Sequence, residues 1–176
     1  MQRIIRRSGR LAAAAAALLL LGAPVRAEEL GIKNASTPEP GVLAAGLPTE
    51  AQIRGLAQEG YKTVIDLMPP EESRGFDEPK AVQEAGLKYV NVPVTVPSLD
   101  QATIDKFLET MRTAEKPVVV HCASSNRVGA LYYSWLVLEK GMPKDEALAK
   151  AQAAGLRHPE LAAKVQKLVD ERKPTP

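Results

Sequence analysis

The stretch PVVVHCASSNRVGALYY, residues 117–133, decides the fold. Pro117 to His121 carries three consecutive valines, the composition of a short buried strand. Cys122 to Arg127 holds only small or polar residues before its arginine and reads as a turn. Val128 to Lys140 is apolar on nearly every side, with Leu131, Tyr132, Trp135, Leu136, Val137 and Leu138. A helix of that kind belongs in the middle of a core. Strand, tight turn and core helix therefore follow one another without spare residues.

The same alternation extends outward. Gly41 to Gly46 reads as a short strand, and Thr49 with Gln52 as a capping box opening a helix. Tyr61 to Leu67 and Leu87 to Val94 are β-branched runs read as strands. Between them, Met68 to Phe76 is a loop and Glu78 to Ala85 a helix stopped by Gly86. Ser98 to Thr113 is an amphipathic helix, with Ile104, Phe107, Leu108 and Met111 on one face and Ser98–Gln101 as its capping box. Two more helices follow, near Lys144 to Ala154 and Pro159 to Arg172. Strands alternating with helices predict the α/β class, with a small, mostly parallel sheet flanked by helices. Ligands in such sheets bind beyond the carboxyl ends of strands, which selects the turn at Cys122.

The first 27 residues have another character. Arg3, Arg6, Arg7 and Arg10 precede an apolar run of Leu and Ala from Leu11 to Leu21, and Val25-Arg26-Ala27 offers small residues for cleavage. This is the layout of a secretory signal peptide, and the run is shorter than the roughly 20 residues a membrane span needs. Residues 1–27 are thus expected to be removed, with 28–40 a flexible linker, 41–172 one domain and 173–176 a disordered tail. The implied location is the periplasm or the exterior, with no stable membrane span after cleavage. The whole chain carries +2; losing five arginines and no acids leaves 2 − 5 = −3. A slightly acidic domain with few aromatics is not suited to gripping nucleic acid.

Cys122 is the single cysteine, so no internal disulfide can form. A turn entering a helix presents free backbone N–H groups to an anion. Ala123, Ser124, Ser125 and Asn126 are small enough to let their amides approach, and Arg127 adds a fork for two oxygens. The field that attracts an anion also favours thiolate over thiol at Cys122. An arginine at the start of a helix opposes the dipole unless an anion is present. The turn thus reads as an oxyanion cradle with a nucleophile at its base, His121 fixing it by hydrogen bonding. No group of His, Cys and carboxylates shows metal-ligand spacing along the chain, so neither metal nor other cofactor is expected.

VVVHCASSNRVGAL resembles the active-site loop of the cysteine-dependent protein phosphatases of the tyrosine and dual-specificity type. More narrowly, the chain from about Ala45 to Lys140 resembles the bacterial branch named beta-lactamase-hydrolase-like. The resemblance implies a phosphatase fold, a Cys122 nucleophile, phosphate held by Arg127 and the loop amides, and a phosphorylated substrate. Three departures stand out. Four residues rather than five separate Cys122 from Arg127, a spacing that branch tolerates. The usual loop glycine is absent, and Asn126 is the residue expected to supply the left-handed kink. Val128 replaces the hydroxyl residue that eases thiolate departure, leaving Ser124 or Ser125 to substitute.

For the general acid, Asp100 is the nearest carboxylate to the position the family uses, although an Asp in a first turn also serves as a cap. Asp66, Glu71, Glu72 and Asp77 are the fallback candidates, and His158, before Pro159, reads as a surface or capping residue. Two further readings stand beside the phosphatase: a rhodanese-like sulfurtransferase, whose loop also spaces Cys and Arg by four residues, and a non-catalytic anion-binding module. An exposed thiolate in an oxidising compartment would be prone to sulfenic acid formation, so activity is expected to need reductant.

Overall fold

The computed structural model describes residues 30–172. The expected signal peptide and the C-terminal tail lie outside them. Five strands form one sheet: β1 (Ser36–Glu39), β2 (Val42–Ala45), β3 (Thr63–Asp66), β4 (Lys88–Asn91) and β5 (Val118–His121). Their order is β1-β2-β5-β3-β4, with β1 antiparallel to β2 and every other pairing parallel. Six helices surround it: α1 (Glu50–Gln58), α2 (Glu78–Glu84), α3 (Gln101–Thr113), α4 (Asn126–Leu138), α5 (Lys144–Ala153) and α6 (Pro159–Asp170). The α/β class read from the sequence is the architecture observed.

Strand alternation divides the core in two. Leu43, Ala45, Val64 and Val119 face α1 and α2, packing on Ile53, Leu56 and Val82. Val42, Ala44, Ile65, Val118 and Val120 face the other layer, where Phe107, Leu131, Tyr132 and Val165 meet them. The strand ends follow the same rule: Asp66 and His121 are register partners and fall on the α2 side, while Cys122 joins the α4 side. Both faces are covered, so the central strands read as continuous apolar runs.

α4 is the axis of the larger layer, with every residue from Val128 to Leu136 buried. Its close approach to the α5–α6 connection requires Gly129. A Cβ there would stand 2.5 Å from the Leu156 amide nitrogen and 2.7 Å from the Ala151 carbonyl oxygen.

Two expectations need correction. The flexible linker expected over residues 28–40 is instead partly built into the sheet, since Ile32 is buried and Ser36–Glu39 form β1. The edge position tolerates Pro38, because an edge strand can leave its N–H side unpaired. Glu39 is also held from α4, accepting a hydrogen bond from Trp135 Nε1 at 3.1 Å. The second correction concerns α3, whose cap is Asp100 rather than Ser98. Ser98 Oγ instead accepts the Thr95 N–H at 2.9 Å, and Gln101 Nε2 donates to the Leu168 carbonyl on α6.

Gly129→Ala should lower stability by about 1–3 kcal/mol through forced backbone displacement. Urea unfolding checks this; a midpoint equal to wild type would contradict the close packing of α4 on residues 151–156.

Candidate active site

The turn after β5 is fastened on every side that the sheet and helices offer. The Cys122 N–H donates to the Ala45 carbonyl at 3.3 Å, and Asn34 Nδ2 donates to the Ser124 carbonyl at 3.1 Å. The left-handed residue is Ser125, with φ +68°, and not Asn126 as expected. Ser125 carries this strain because its hydroxyl donates to the Ala154 carbonyl at 2.8 Å. Gly155 then packs so closely that a Cβ on it would lie 2.6 Å from Ser125 Cβ. Asn126 faces the other way, and its Oδ1 accepts the N–H groups of Arg157 (2.7 Å) and His158 (2.9 Å). The loop is thereby tied to the start of α6, where His158 is the exposed N-cap.

Ser125 is formally the N-cap of α4, but its hydroxyl is spent on Ala154 and makes no cap hydrogen bond. The first turn of α4 contains no acidic residue either. The amides at the start of this helix therefore lack both of the usual side-chain compensations. Such a terminus is suited to an external anion.

Arg127 points its positive charge into the same region. Its Nη1 donates to Glu72 Oε1 at 2.7 Å and to the Val94 carbonyl at 3.1 Å, and its Nη2 donates to Glu72 Oε2 at 2.7 Å. Three of the five guanidinium donors are thus engaged, leaving Nε–H and one Nη2–H. Burial opposes the charge, yet the Glu72 hydrogen bonds and the proximity of Cys122 and the Glu72 carboxylate hold the guanidinium above its ordinary pKa. Cys122 is among the groups that raise it, so guanidinium and sulfur are neighbours. The sequence offers Glu72 only as a fallback acid; its observed role is to hold the arginine.

Glu72 is in turn presented by a rigid loop. Arg74 wraps that loop, donating to the carbonyls of Met68 (2.8 Å), Pro69 (3.1 Å) and Glu72 (2.7 Å), and is anchored on the Asp66 carboxylate. Asp66 is completely buried and takes part in this network, Asp77 is the N-cap of α2, and Glu71 is exposed with no ion pair among the described residues.

Cys122 is 0% exposed. The expectation of an exposed thiolate is corrected: the residue sits in the core layer with Val120 and Val128. Val128 is likewise buried and offers no hydroxyl. Of the two serines that could replace that hydroxyl, Ser125 is committed to Ala154. Ser124 remains half-buried, accepting only a long 3.4 Å contact from Asn126 Nδ2.

Asp100 is exposed and spends one carboxylate oxygen on the Thr103 N–H and hydroxyl, each at 2.8 Å. Those two bonds, the backbone one first, lower its pKa below the ordinary carboxylate value. This is the wrong direction for a residue that must hold a proton for a leaving group near neutral pH. The segment before it is pinned from α6, since Lys164 Nζ donates to the carbonyls of Val96 (2.6 Å) and Pro97 (2.9 Å).

A further cluster is invisible along the chain. Asp66, Glu78 and His121 lie far apart in sequence, yet the sheet and α2 bring ligand-type atoms of all three within 4.8 Å of one another. Spacing along the chain carries no sign of it because the grouping is purely tertiary.

Comparison with known proteins agrees with this geometry. Two curated bacterial relatives are each named beta-lactamase hydrolase-like protein. The one from Xylella fastidiosa (strain Temecula1) is 34% identical over 115 residues, 63% of this chain and 27% of its own length. The one from Agrobacterium fabrum is 35% identical over 92 residues, 50% of this chain and 21% of its own length. The chain thus spans about a quarter of the length of these relatives. Among solved structures, a candidate phosphatase from Shewanella putrefaciens CN-32 superposes with a TM-score of 0.68 at 28% identity, covering 80% of this chain and 94% of the other. TpbA from P. aeruginosa shares the fold, with a TM-score of 0.65 at 21% identity over 81% and 86% of the two chains. Residues 25–168 match the family described as DSP-PTPase phosphatase fused to NAD+ kinase, and the chain belongs to that phosphatase family.

Proposed function

We propose that this protein is an exported phosphatase that hydrolyses phosphoesters through a cysteinyl-phosphate. The observation that carries the reading is Arg127, fixed beside Cys122 at a helix terminus whose amides no side chain caps. The Cys122 thiolate attacks phosphorus and the ester P–O bond breaks, the leaving oxygen departing as an aryloxide that takes its proton from water. Water then attacks phosphorus, the P–S bond breaks, and inorganic phosphate and thiolate are released. The amides at the start of α4 and the two unengaged donors of Arg127 stabilise the charge on the transferring group. A sulfurtransferase is not favoured, because the family to which the chain belongs is a phosphatase family.

Two features shape the substrate range. Asp100 is held as a carboxylate cap, and Val128 provides no hydroxyl. The first means weak protonation of the leaving group, which favours aryl over alkyl phosphates, as a phenol leaves with a pKa near 10 without much help. Phosphotyrosine, with which TpbA has been solved, is a suitable probe of the aryl class.

Turnover of p-nitrophenyl phosphate should therefore exceed that of phosphoserine by about 100-fold or more, the scale of one missing acid. The same activity should vanish in Cys122→Ser, and Arg127→Ala should cost about 100- to 1,000-fold. Equal turnover in Cys122→Ser, or cyanide-dependent sulfur transfer from thiosulfate exceeding phosphate release, would overturn the reading.

Asp100→Ala is expected to lower the thermal midpoint at pH 7 while leaving the pH–rate profile in shape. A carboxylate with a lowered folded pKa stabilises above its unfolded value and loses that contribution as pH falls through the lowered one. The stability gap should accordingly close in acid. Disappearance of the basic limb of the rate profile would return Asp100 to the acid role.

Export rests on the basic head, short apolar run and small-residue exit of residues 1–27. Protein recovered from the periplasmic fraction of a Gram-negative host should begin at Glu28 by N-terminal sequencing. An intact Met1 in cytosol alone would contradict it.

A further inference from the structure

Beside the cradle lies a cavity of about 720 Å³ that the reaction steps at Cys122 do not use. Its size falls within the roughly 300–1,000 Å³ of pockets that hold small molecules. It lies beyond the carboxyl ends of β3 and β4, where Glu72, Phe76, Asp77, Tyr89 and Asn91 line it together with Arg74. Glu72 belongs to both places, lining the cavity and holding Arg127 through both carboxylate oxygens, each at 2.7 Å. The cavity and the phosphate seat are thus separated by one side chain.

The hydrogen-bonding atoms left free decide what the cavity can take. Among the described residues that line it, Arg74 is the one cation, and its five N–H donors are all engaged. They go to the Asp66 carboxylate and to the carbonyls of Met68, Pro69 and Glu72. Arg74 has nothing left to offer an anion. Asn91 likewise donates its amide N–H groups to Asp66 and Met68, and Tyr89 gives its hydroxyl proton to Asp66. Ser73 adds only an uncharged hydroxyl. What remains are acceptors. Asp77 Oδ1 takes the Lys80 N–H at 3.2 Å as the cap of α2, while Asp77 Oδ2 and Asn91 Oδ1 have no partner among the described residues. Half-buried Phe76 and Tyr89 supply aromatic surface. Unfilled acceptors, one of them on an exposed carboxylate, beside aromatic rings suit a cation. A second phosphate would meet Asp77 and no free guanidinium.

We propose that this cavity is a specificity subsite for a basic side chain, the guanidinium of an arginine or the ammonium of a lysine, carried by a phosphotyrosyl peptide within a few residues of the phosphate. Glu72 joins the two seats, so one extended peptide can fill both. The inference rests on the phosphatase reading and names its substrate class, but its test does not require turnover.

Fluorescence anisotropy on the full chain carrying Cys122→Ser provides that test. The probes are labelled peptides with one phosphotyrosine and a single Arg, Ala or Glu scanned over the three positions on either side. At the best position Arg should bind about tenfold more tightly than Ala, and Glu more weakly than Ala. Asp77→Asn keeps a capping residue and Phe76→Leu keeps apolar bulk; each should cut the Arg–Ala difference to about threefold or less. Glu84→Gln, which removes an exposed carboxylate elsewhere on α2, should leave it intact and so exclude general attraction to an acidic domain. Equal affinities for the Arg and Ala peptides at every position would overturn the proposal. So would a difference that Asp77→Asn and Phe76→Leu both leave unchanged. Agmatine, a free guanidinium without phosphate, binding as tightly as the Arg phosphopeptide would also overturn it, by assigning the cavity to a small amine. An Arg preference in binding, with no phosphoester hydrolysed by the unaltered chain, would sink the reaction and leave the subsite standing.

Discussion

The paired Glu72–Arg127 contact governs the site. A guanidinium at the start of a helix meets the positive end of the helix dipole, and it stays there only if negative charge meets it. In the resting structure Glu72 supplies that charge at 2.7 Å to both terminal nitrogens. A phosphoryl group supplies more of it along the remaining edge. Glu72 therefore orients the arginine without consuming all of its donors, and preorganisation of this kind lowers what must be rearranged at the moment of reaction. The pairing depends on a second arginine, because Arg74 gathers three carbonyls of the Glu72 loop and anchors on buried Asp66. Loop, sheet end and α2 thus form one electrostatic unit around the nucleophile.

Packing fixes the other half of the site. Ser125 tolerates a left-handed backbone because Ala154 receives its hydroxyl, and Asn126 is drawn outward to cap the approach to α6. The four-residue spacing between Cys122 and Arg127 is closed by side-chain hydrogen bonds where a glycine would have closed it by backbone freedom. Gly129 and Gly155 then permit the α5–α6 connection to lie against the loop. With Val128 buried and Ser125 committed, hydrolysis of the intermediate is the step least supported by side chains.

Much of this is legible in the sequence, and the reason is local. The valine run before Cys122, the Thr49–Gln52 capping box and the glycines after α1 and α2 are short-range signals, and each marks an element that forms. Cys122 and Arg127 stand out because six consecutive residues carry the pattern. The misses are tertiary. Ser36–Glu39 has little strand propensity and becomes β1 because the free edge of β2 can pair with it. Glu72 meets Arg127 across 55 residues, and Glu78 meets His121 across a whole layer of the fold. Capping by Asp100 in place of Ser98 turns on which oxygen reaches the Thr103 amide, a matter of backbone placement that spacing alone leaves open.

The central claim is that a phosphoryl group reaches the Cys122 sulfur under Arg127. Acid quenching during turnover of an aryl phosphate, followed by peptide mass spectrometry, tests it most directly. The account predicts phosphate covalently on Cys122, building up within the first turnover because release is poorly assisted. Steady release of phosphate with the Cys122 peptide unmodified throughout would contradict it.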